Sequence, residues 1–264
     1  MTKASNMSFL EHLEVLRWHI IRSIFVTLIF TIFAFIFKNI IFDKILFAIK
    51  NPDFLTYRII CKVSGFFGFS DNFCIQDLPF NLINISMSGQ FSAHITTSLI
   101  VGIIISFPYF VWEMWRFIKP ALHKNEKIKV RGVVFFSSLL FFTGVLFGYF
   151  VVSPLSINFL GGYFVSSMIE NQISFSSYIN TVSILTLANG LIFQLPIFVY
   201  FLSKAGILTE SFMKKYRKHS LVIILILSAI ITPPDVTSQI LLSLPVLFLY
   251  EISIKISKYV NPKS

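Results

Sequence analysis

Long apolar runs separated by short basic loops constrain the fold of this chain most. The clearest boundary lies within Ser106–Arg131, where an apolar, aromatic run meets Pro120 and then a lysine-rich loop holding one carboxylate, Glu126. Proline lacks an amide hydrogen, so a helix stops or bends there. The next apolar run begins at Val133. The pattern is typical of one membrane helix leaving the bilayer and another entering it.

The composition supports a membrane protein. Hydrophobic residues make up 55% of the chain and charged residues 13%, with a mean hydropathy of +0.79. This is far too apolar for a soluble domain of ordinary composition. The net charge of +10 could suggest nucleic acid, but the basic residues flank apolar runs instead of forming one patch. We therefore expect no nucleic-acid partner, and we expect the first apolar run to remain as a span because no cleavable signal pattern precedes it.

The apolar runs predict an all-α polytopic membrane protein with six transmembrane helices in a single domain, 1–264. The expected elements are a surface amphipathic helix at 5–18, an extramembrane cap at 39–90, and spans at about 19–37, 91–117, 132–152, 179–202, 220–232 and 236–252. Pro154 is predicted to end the third span, in which Gly144 and Gly148 would let another helix approach closely. The last two runs are short for a bilayer core of roughly 30 Å, so they form either a re-entrant hairpin or two short spans.

Basic residues predict the orientation of these elements. Seventeen of the 22 Lys and Arg residues fall in the two termini and the two basic loops, which places both termini on the cytoplasmic side. The cap would then face an outer compartment. If that compartment is oxidising, its Cys61 and Cys74 can form a disulfide, and two unpaired thiols are the alternative.

Catalysis has little support in the sequence. Ser88 and His94 lie on one short stretch without an activating partner or an oxyanion-forming glycine loop. The five histidines are scattered and no HExxH motif is present. We therefore expect no enzyme activity, no metal and no cofactor. A solute carrier is a stronger candidate than an enzyme, although no inverted internal repeat is evident.

Five segments resemble one known family. They are FLEHLEVLR at 9–17, FIKPALHKNE at 117–126, FFTGVLFGYFVVSP at 141–154, FQLP at 193–196 and TPPDVTSQ at 232–239. They occur in the family's order over nearly the whole chain. On these residues the chain resembles TatC, a subunit of the twin-arginine protein translocase.

The resemblance implies a glove-shaped, concave bundle of six helices in the bacterial inner membrane. Such a protein is a receptor for signal peptides bearing paired arginines and helps to export folded proteins by using the proton motive force. Its implied partners are TatA and TatB-type single-span subunits, other TatC copies and membrane lipid.

The same resemblance assigns roles to individual residues. Glu126 is expected to contact a signal arginine, because a planar guanidinium pairs bidentately with a carboxylate. The family usually reads HLEELR, and its second glutamate is Val15 here. Glu14 or Glu11 would replace it, or Glu126 would act alone. Arg17 is expected to be a structural partner nearby, and the positions of Pro52, Phe117 and Pro120 resemble those that shape the scaffold.

Gln194 is a second polar feature of the predicted fourth span. With Asn180, Ser183 and Gly190 it falls near one helical face, which predicts that it points into the concave side of the bundle. The family often has glutamate there, so the neutral residue argues against a role that needs a charge. An interhelical hydrogen bond is the alternative. Asp235, after two prolines, is predicted to cap the final helix.

Overall fold

The computed structural model describes residues 9–66, 80–118, 130–166, 168, 171–232 and 236–260. Helices dominate these segments: α1 Phe9–Ile36, α2 Leu55–Phe66, α3 Gly89–Ile118, α4 Val130–Phe147, α5 Ser153–Gly162, α6 Phe175–Ile192, α7 Leu195–Lys204, α8 Glu210–Lys215, α9 Arg217–Ile231 and α10 Val236–Val260. A π-helical segment, Ile40–Leu46, and a 3₁₀ turn, Phe47–Lys50, follow α1, and a π-helical turn, Gly148–Val152, joins α4 to α5.

Five helical segments in the described part of the chain are long and apolar enough to cross a membrane. They are His12–Ile36, Gly89–Ile118, Gly132–Gly162, Phe175–Lys204 and Ser238–Val260. These segments make the chain a multi-pass membrane protein. The remaining apolar helix, α9, has 15 residues, so a sixth crossing stays a prediction.

Several predicted boundaries differ in the structure. From Phe9 onwards, the predicted surface helix and first span form one uninterrupted helix, α1, in which no glycine or proline separates them. The final helix is not short, since α10 has 25 residues. Beyond Tyr250 its charged residues, such as Lys255 and Lys258, are exposed while Ile254 is buried, so the helix becomes amphipathic instead of ending.

Pro154 does not end the third span, contrary to the prediction. It lies in the first turn of α5, directly after the π-helical turn. A proline leaves the carbonyl of the residue four positions earlier without its helical donor. That residue is Phe150, and its carbonyl accepts a hydrogen bond from the Thr56 hydroxyl of α2. The Phe150 carbonyl therefore has a hydrogen-bond donor from another helix in place of the one that the proline lacks.

The antiparallel helices α1 and α3 form the most extensive pair. Gly102 of α3 lies against Thr31, where a Cβ atom would be 2.8 Å from the Thr31 backbone nitrogen. Nearby, the Thr27 and Ser106 hydroxyls are 2.8 Å apart. Small residues at such contacts let two helix backbones approach closely.

Glycines also set the packing of α4 against α6. A Cβ at Gly144 would lie 2.6 Å from the Asn189 carbonyl oxygen, and one at Gly148 would lie 2.9 Å from the Asn189 Cβ. In return, Gly190 of α6 lies against Phe141 and Val145 of α4. The predicted close approach at Gly144 and Gly148 is confirmed.

We call the two ends of the bundle the cap end and the basic end. The cap end holds the segments after α1, α2 and a parallel pair of short strands, β1 Asn81–Ile83 and β2 Gln172–Ser174. The all-α prediction missed these strands. Buried aromatic residues fill this end, and Tyr178 donates a hydrogen bond to the Leu46 carbonyl at 2.8 Å. Pro52 is exposed in a turn before α2. The basic end holds the start of α1, the ends of α3, α7 and α10, and α8.

Cys61 of α2 is disulfide-bonded. Its predicted partner, Cys74, lies outside the described residues, so their pairing stays a prediction.

Candidate functional site

A buried carboxylate joins α1 to α3 at the basic end. Glu113, one turn before the end of α3, has a side chain that is 1% exposed. Its Oε2 accepts a hydrogen bond from the His19 imidazole of α1. A carboxylate in such a place is expensive to bury unless its oxygens are bonded.

Two donors from α3 itself satisfy the other oxygen of Glu113. The Tyr109 hydroxyl donates a hydrogen bond to Oε1 at 3.0 Å, and the Arg116 guanidinium donates one to the same oxygen at 3.1 Å. Arg116 is half-exposed and lies over the Trp112 ring, 4.8 Å from its centroid. We call Glu113, His19, Tyr109 and Arg116 the Glu113 cluster.

Glu14, which is predicted to bind the signal, and Arg17, which is predicted to be its structural partner, lie on α1 just before this cluster. Glu14 and Arg17 form an ion pair at 3.5 Å, and their side chains are 64% and 62% exposed. An exposed pair of this kind contributes little to stability, with measured values of about 0–1 kcal/mol. The Glu14 carboxylate is therefore accessible, and an incoming cation can compete with Arg17 for it.

Phe117 also connects α1 with α3. Its ring stacks on His12 with a centroid separation of 4.4 Å and meets the edge of His19 at 6.1 Å. Because His12 and His19 are seven residues apart, they share one face of α1. That face is turned towards α3.

The remaining predicted residues of this site cannot be placed with Glu14. Glu126, Pro120 and Asp235 lie outside the described residues, as does the Glu11 side chain. Whether Glu126 and Glu14 come together therefore stays a prediction.

Comparison with known proteins identifies the family. The family model described as Sec-independent protein translocase protein (TatC) matches residues 11–245. The chain belongs to the TatC family. TatC proteins are subunits of a protein translocase, so this chain is a component of a protein-transport machinery.

Individual relatives agree over nearly the full chain. The TatC protein of Blattabacterium sp. subsp. Periplaneta americana (strain BPLAN) is 42% identical over 98% of each chain. The TatC protein of Aquifex aeolicus (strain VF5) is 36% identical over 97% of each chain. A crystal structure of the twin-arginine translocase receptor TatC in DDM superposes with a TM-score of 0.73 at 35% identity, covering 94% of this chain and 99% of that one.

Gln194 of this TatC chain lies in a separate interhelical contact. It is buried where α6 gives way to α7, and its Oε1 accepts a hydrogen bond from the Ser137 hydroxyl of α4 at 2.6 Å. Its Nε2 donates to the Ser137 carbonyl at 3.1 Å. Asn180, predicted to share its face, is exposed instead. Both ends of the Gln194 amide are thus engaged in holding α4.

Sequence reasoning missed Glu113 in this TatC chain. One signal was available, because a single carboxylate within an apolar span usually marks a functional or tightly bonded position. Its partner could not be read from the sequence, since His19 lies 94 positions earlier. Among the described residues, no group of His, Cys, Asp and Glu is arranged to hold a metal ion.

Proposed function

We propose that this chain is the signal-peptide receptor and core subunit of the twin-arginine translocase. It exports folded proteins across the bacterial inner membrane by using the proton motive force. The observation that carries the proposal is the match to TatC over residues 11–245, together with an accessible carboxylate, Glu14, at the basic end.

The chemistry of recognition is the pairing of signal arginines with carboxylates. In this proposal Glu126 is the main residue that binds a signal arginine. Glu14 is the second, with Glu11 as the alternative in the same N-terminal segment. Guanidinium groups bind carboxylates through two parallel hydrogen bonds, which an ammonium group cannot copy. A receptor built this way prefers paired arginines over paired lysines.

The proposal also fixes an orientation and partners. The basic end faces the cytoplasm, where both termini lie, because it carries most of the Lys and Arg residues in the part of the chain that the structure describes. The six helices form a glove-shaped, concave bundle. TatA and TatB-type single-span subunits, other TatC copies and lipid cover its apolar faces, such as the exposed side of α1 that includes Phe25 and Ile32.

Peptide binding tests the receptor role directly. A labelled twin-arginine signal peptide and its twin-lysine version are titrated against the purified protein in nanodiscs. We expect the arginine peptide to bind about 10-fold or more tightly, since a hydrogen bond to a charged group contributes roughly 1.5–3 kcal/mol. Glu126→Gln should remove most of that preference, and Glu14→Gln part of it.

A matched control comes from the same end of the molecule. Glu251 is half-exposed and pairs with Arg217 at 2.7 Å, away from α1 and α3. Glu251→Gln removes one carboxylate of similar exposure and should leave both peptide affinities unchanged. Equal binding of the arginine and lysine peptides by the unmodified protein would refute the receptor role.

The energy source needs its own assay. In inverted membrane vesicles that hold the complete translocase, a protonophore should stop export of a folded precursor while signal-peptide binding persists. Export that continues undiminished would contradict the use of the proton gradient.

A further inference from the structure

The Glu113 cluster has no part in the recognition described above, although it buries the carboxylate of Glu113 at a membrane-spanning position. The described residues contain no other carboxylate that is buried to this degree. A buried charge is destabilising unless its bonding partners are in place. A carboxylate that is kept buried here therefore points to a role of its own.

The direction of the bonds shows what the cluster does. Tyr109 and Arg116 lie four residues before and three residues after Glu113 on α3, and both donate to Oε1. They orient the carboxylate on its own helix. Oε2 is left to accept from His19, the one member of the cluster on α1. Glu113 therefore joins two helices.

This connection lies close to Glu14. His19 lies five positions after Glu14, which corresponds to about 7.5 Å along the helix axis and a rotation of roughly 140°. Glu14 thus points away from α3 while His19 points towards it, in agreement with the exposure of Glu14. Any rotation or fraying of the first turns of α1 would redirect the Glu14 carboxylate.

The described ring contacts of these first turns with α3 are those of His12 and His19 with Phe117. The next described hydrogen bond from α1 to α3 lies at Thr27 and Ser106, two turns beyond His19. The bond between His19 and Glu113 is consequently the polar attachment nearest to Glu14.

We propose that Glu113 is a positioning residue for signal recognition: it holds the start of α1 on α3 and so presents Glu14 to a signal arginine. The inference rests on the proposed receptor function. Glu113 itself does not contact the peptide, because its side chain is buried and its oxygens are already bonded.

The decisive measurement is the effect of Glu14→Gln in two backgrounds. In the unmodified protein this substitution should weaken binding of the twin-arginine peptide about 10-fold, as expected for one lost charged hydrogen bond. In a Glu113→Leu background, the side chain at 113 can no longer bond to His19 and Glu14 is no longer presented, so the same substitution should change the affinity less than twofold. Glu113→Leu alone should weaken binding by nearly as much as Glu14→Gln alone.

Three variants separate positioning from a general loss of stability. His19→Leu should act like Glu113→Leu, whereas His19→Arg keeps a donor for Oε2, so Glu14→Gln should keep its full effect in that background. Gln194→Leu breaks an interhelical contact elsewhere and should leave that effect at full size.

A distance measurement reports on the helix pair without any peptide. Spin labels at Val15 and Ile118, both on the exposed surface, should show a narrow distance distribution that broadens in Glu113→Leu. An unchanged distribution, or a Glu14→Gln effect of equal size in both backgrounds, would overturn this inference alone. Equal binding of arginine and lysine peptides by the unmodified protein would overturn it together with the receptor role.

Discussion

α1 and α3 approach closely at Gly102, and replacing this glycine with alanine tests that packing. The added methyl would lie 2.8 Å from the Thr31 backbone nitrogen and 3.0 Å from the Thr31 Cα, and closer still to its hydroxyl oxygen. A rotamer change relieves the hydroxyl contact alone. The backbone contacts are relieved only if the two helices separate by a few tenths of an ångström.

A second helical glycine, Gly132, is the reference for the change in the free energy of unfolding. Gly132 lies in α4, and a Cβ built there meets nothing within 4 Å. Alanine in place of a helical glycine is intrinsically favourable by about 0.5–1 kcal/mol, and this gain is shared by both substitutions. Overpacking costs roughly 1–3 kcal/mol and applies to Gly102 alone. The free energy of unfolding of Gly102→Ala should therefore be lower than that of Gly132→Ala by about 1–3 kcal/mol.

Thermal unfolding in detergent measures this difference. For a chain of this size, 1 kcal/mol corresponds to a shift in melting temperature of roughly 2–4 °C. Gly102→Ala should therefore melt roughly 2–12 °C below Gly132→Ala. If both variants melt at the same temperature, the close approach of α1 and α3 is not a tight contact and the reasoning fails.

Three further substitutions test contacts elsewhere in the chain. Gln194→Leu should lower the free energy of unfolding by about 0.6–1.7 kcal/mol, and a double-mutant cycle with Ser137→Ala should attribute that loss to their interhelical hydrogen bond. Gly144→Ala should be destabilised by roughly 1–3 kcal/mol in the same thermal assay, because its methyl would meet the Asn189 carbonyl oxygen of α6. The hydrogen bond from Lys214 holds the pKa of Glu210 below its ordinary value of 4.5, so the contact stabilises α8 at neutral pH and is lost as the pH falls through the lowered pKa. In an NMR titration, Lys214→Met should raise the pKa of Glu210 towards that ordinary value.

The apolar runs were sufficient to predict most of the helices, because each long run must bury its backbone groups in a helix to enter a membrane. Boundaries set by tertiary contacts were not predictable in the same way. The charged residues near Lys255 suggested that the last helix stops, yet they occupy one exposed face of a helix that continues to Val260. The strands β1 and β2 were missed because each is three residues long and pairs only with the other, far away in sequence.

The residues of the candidate site also differ in whether local sequence or tertiary contacts determine their role. Glu14 and Arg17 were accessible to sequence reasoning because they belong to a local motif, and the structure places them as an exposed pair on α1. Glu113 was not, because its role depends on His19 from another helix. A single carboxylate among aromatic residues indicates that a partner exists, but the fold alone decides which one.

Pro154, which was wrongly predicted to end the third span, gives the most direct test of how residues distant in sequence determine local structure. The Phe150 carbonyl, left without its helical donor by Pro154, accepts from the Thr56 hydroxyl. Thr56→Val is nearly isosteric and should lower the free energy of unfolding by about 1–3 kcal/mol, the cost of an unsatisfied buried acceptor. In a Pro154→Ala background, the new amide hydrogen at residue 154 can bond to the Phe150 carbonyl itself, so Thr56→Val should cost markedly less. A cost of equal size in both backgrounds, measured by reversible unfolding in detergent, would show that Thr56 does not compensate for the proline.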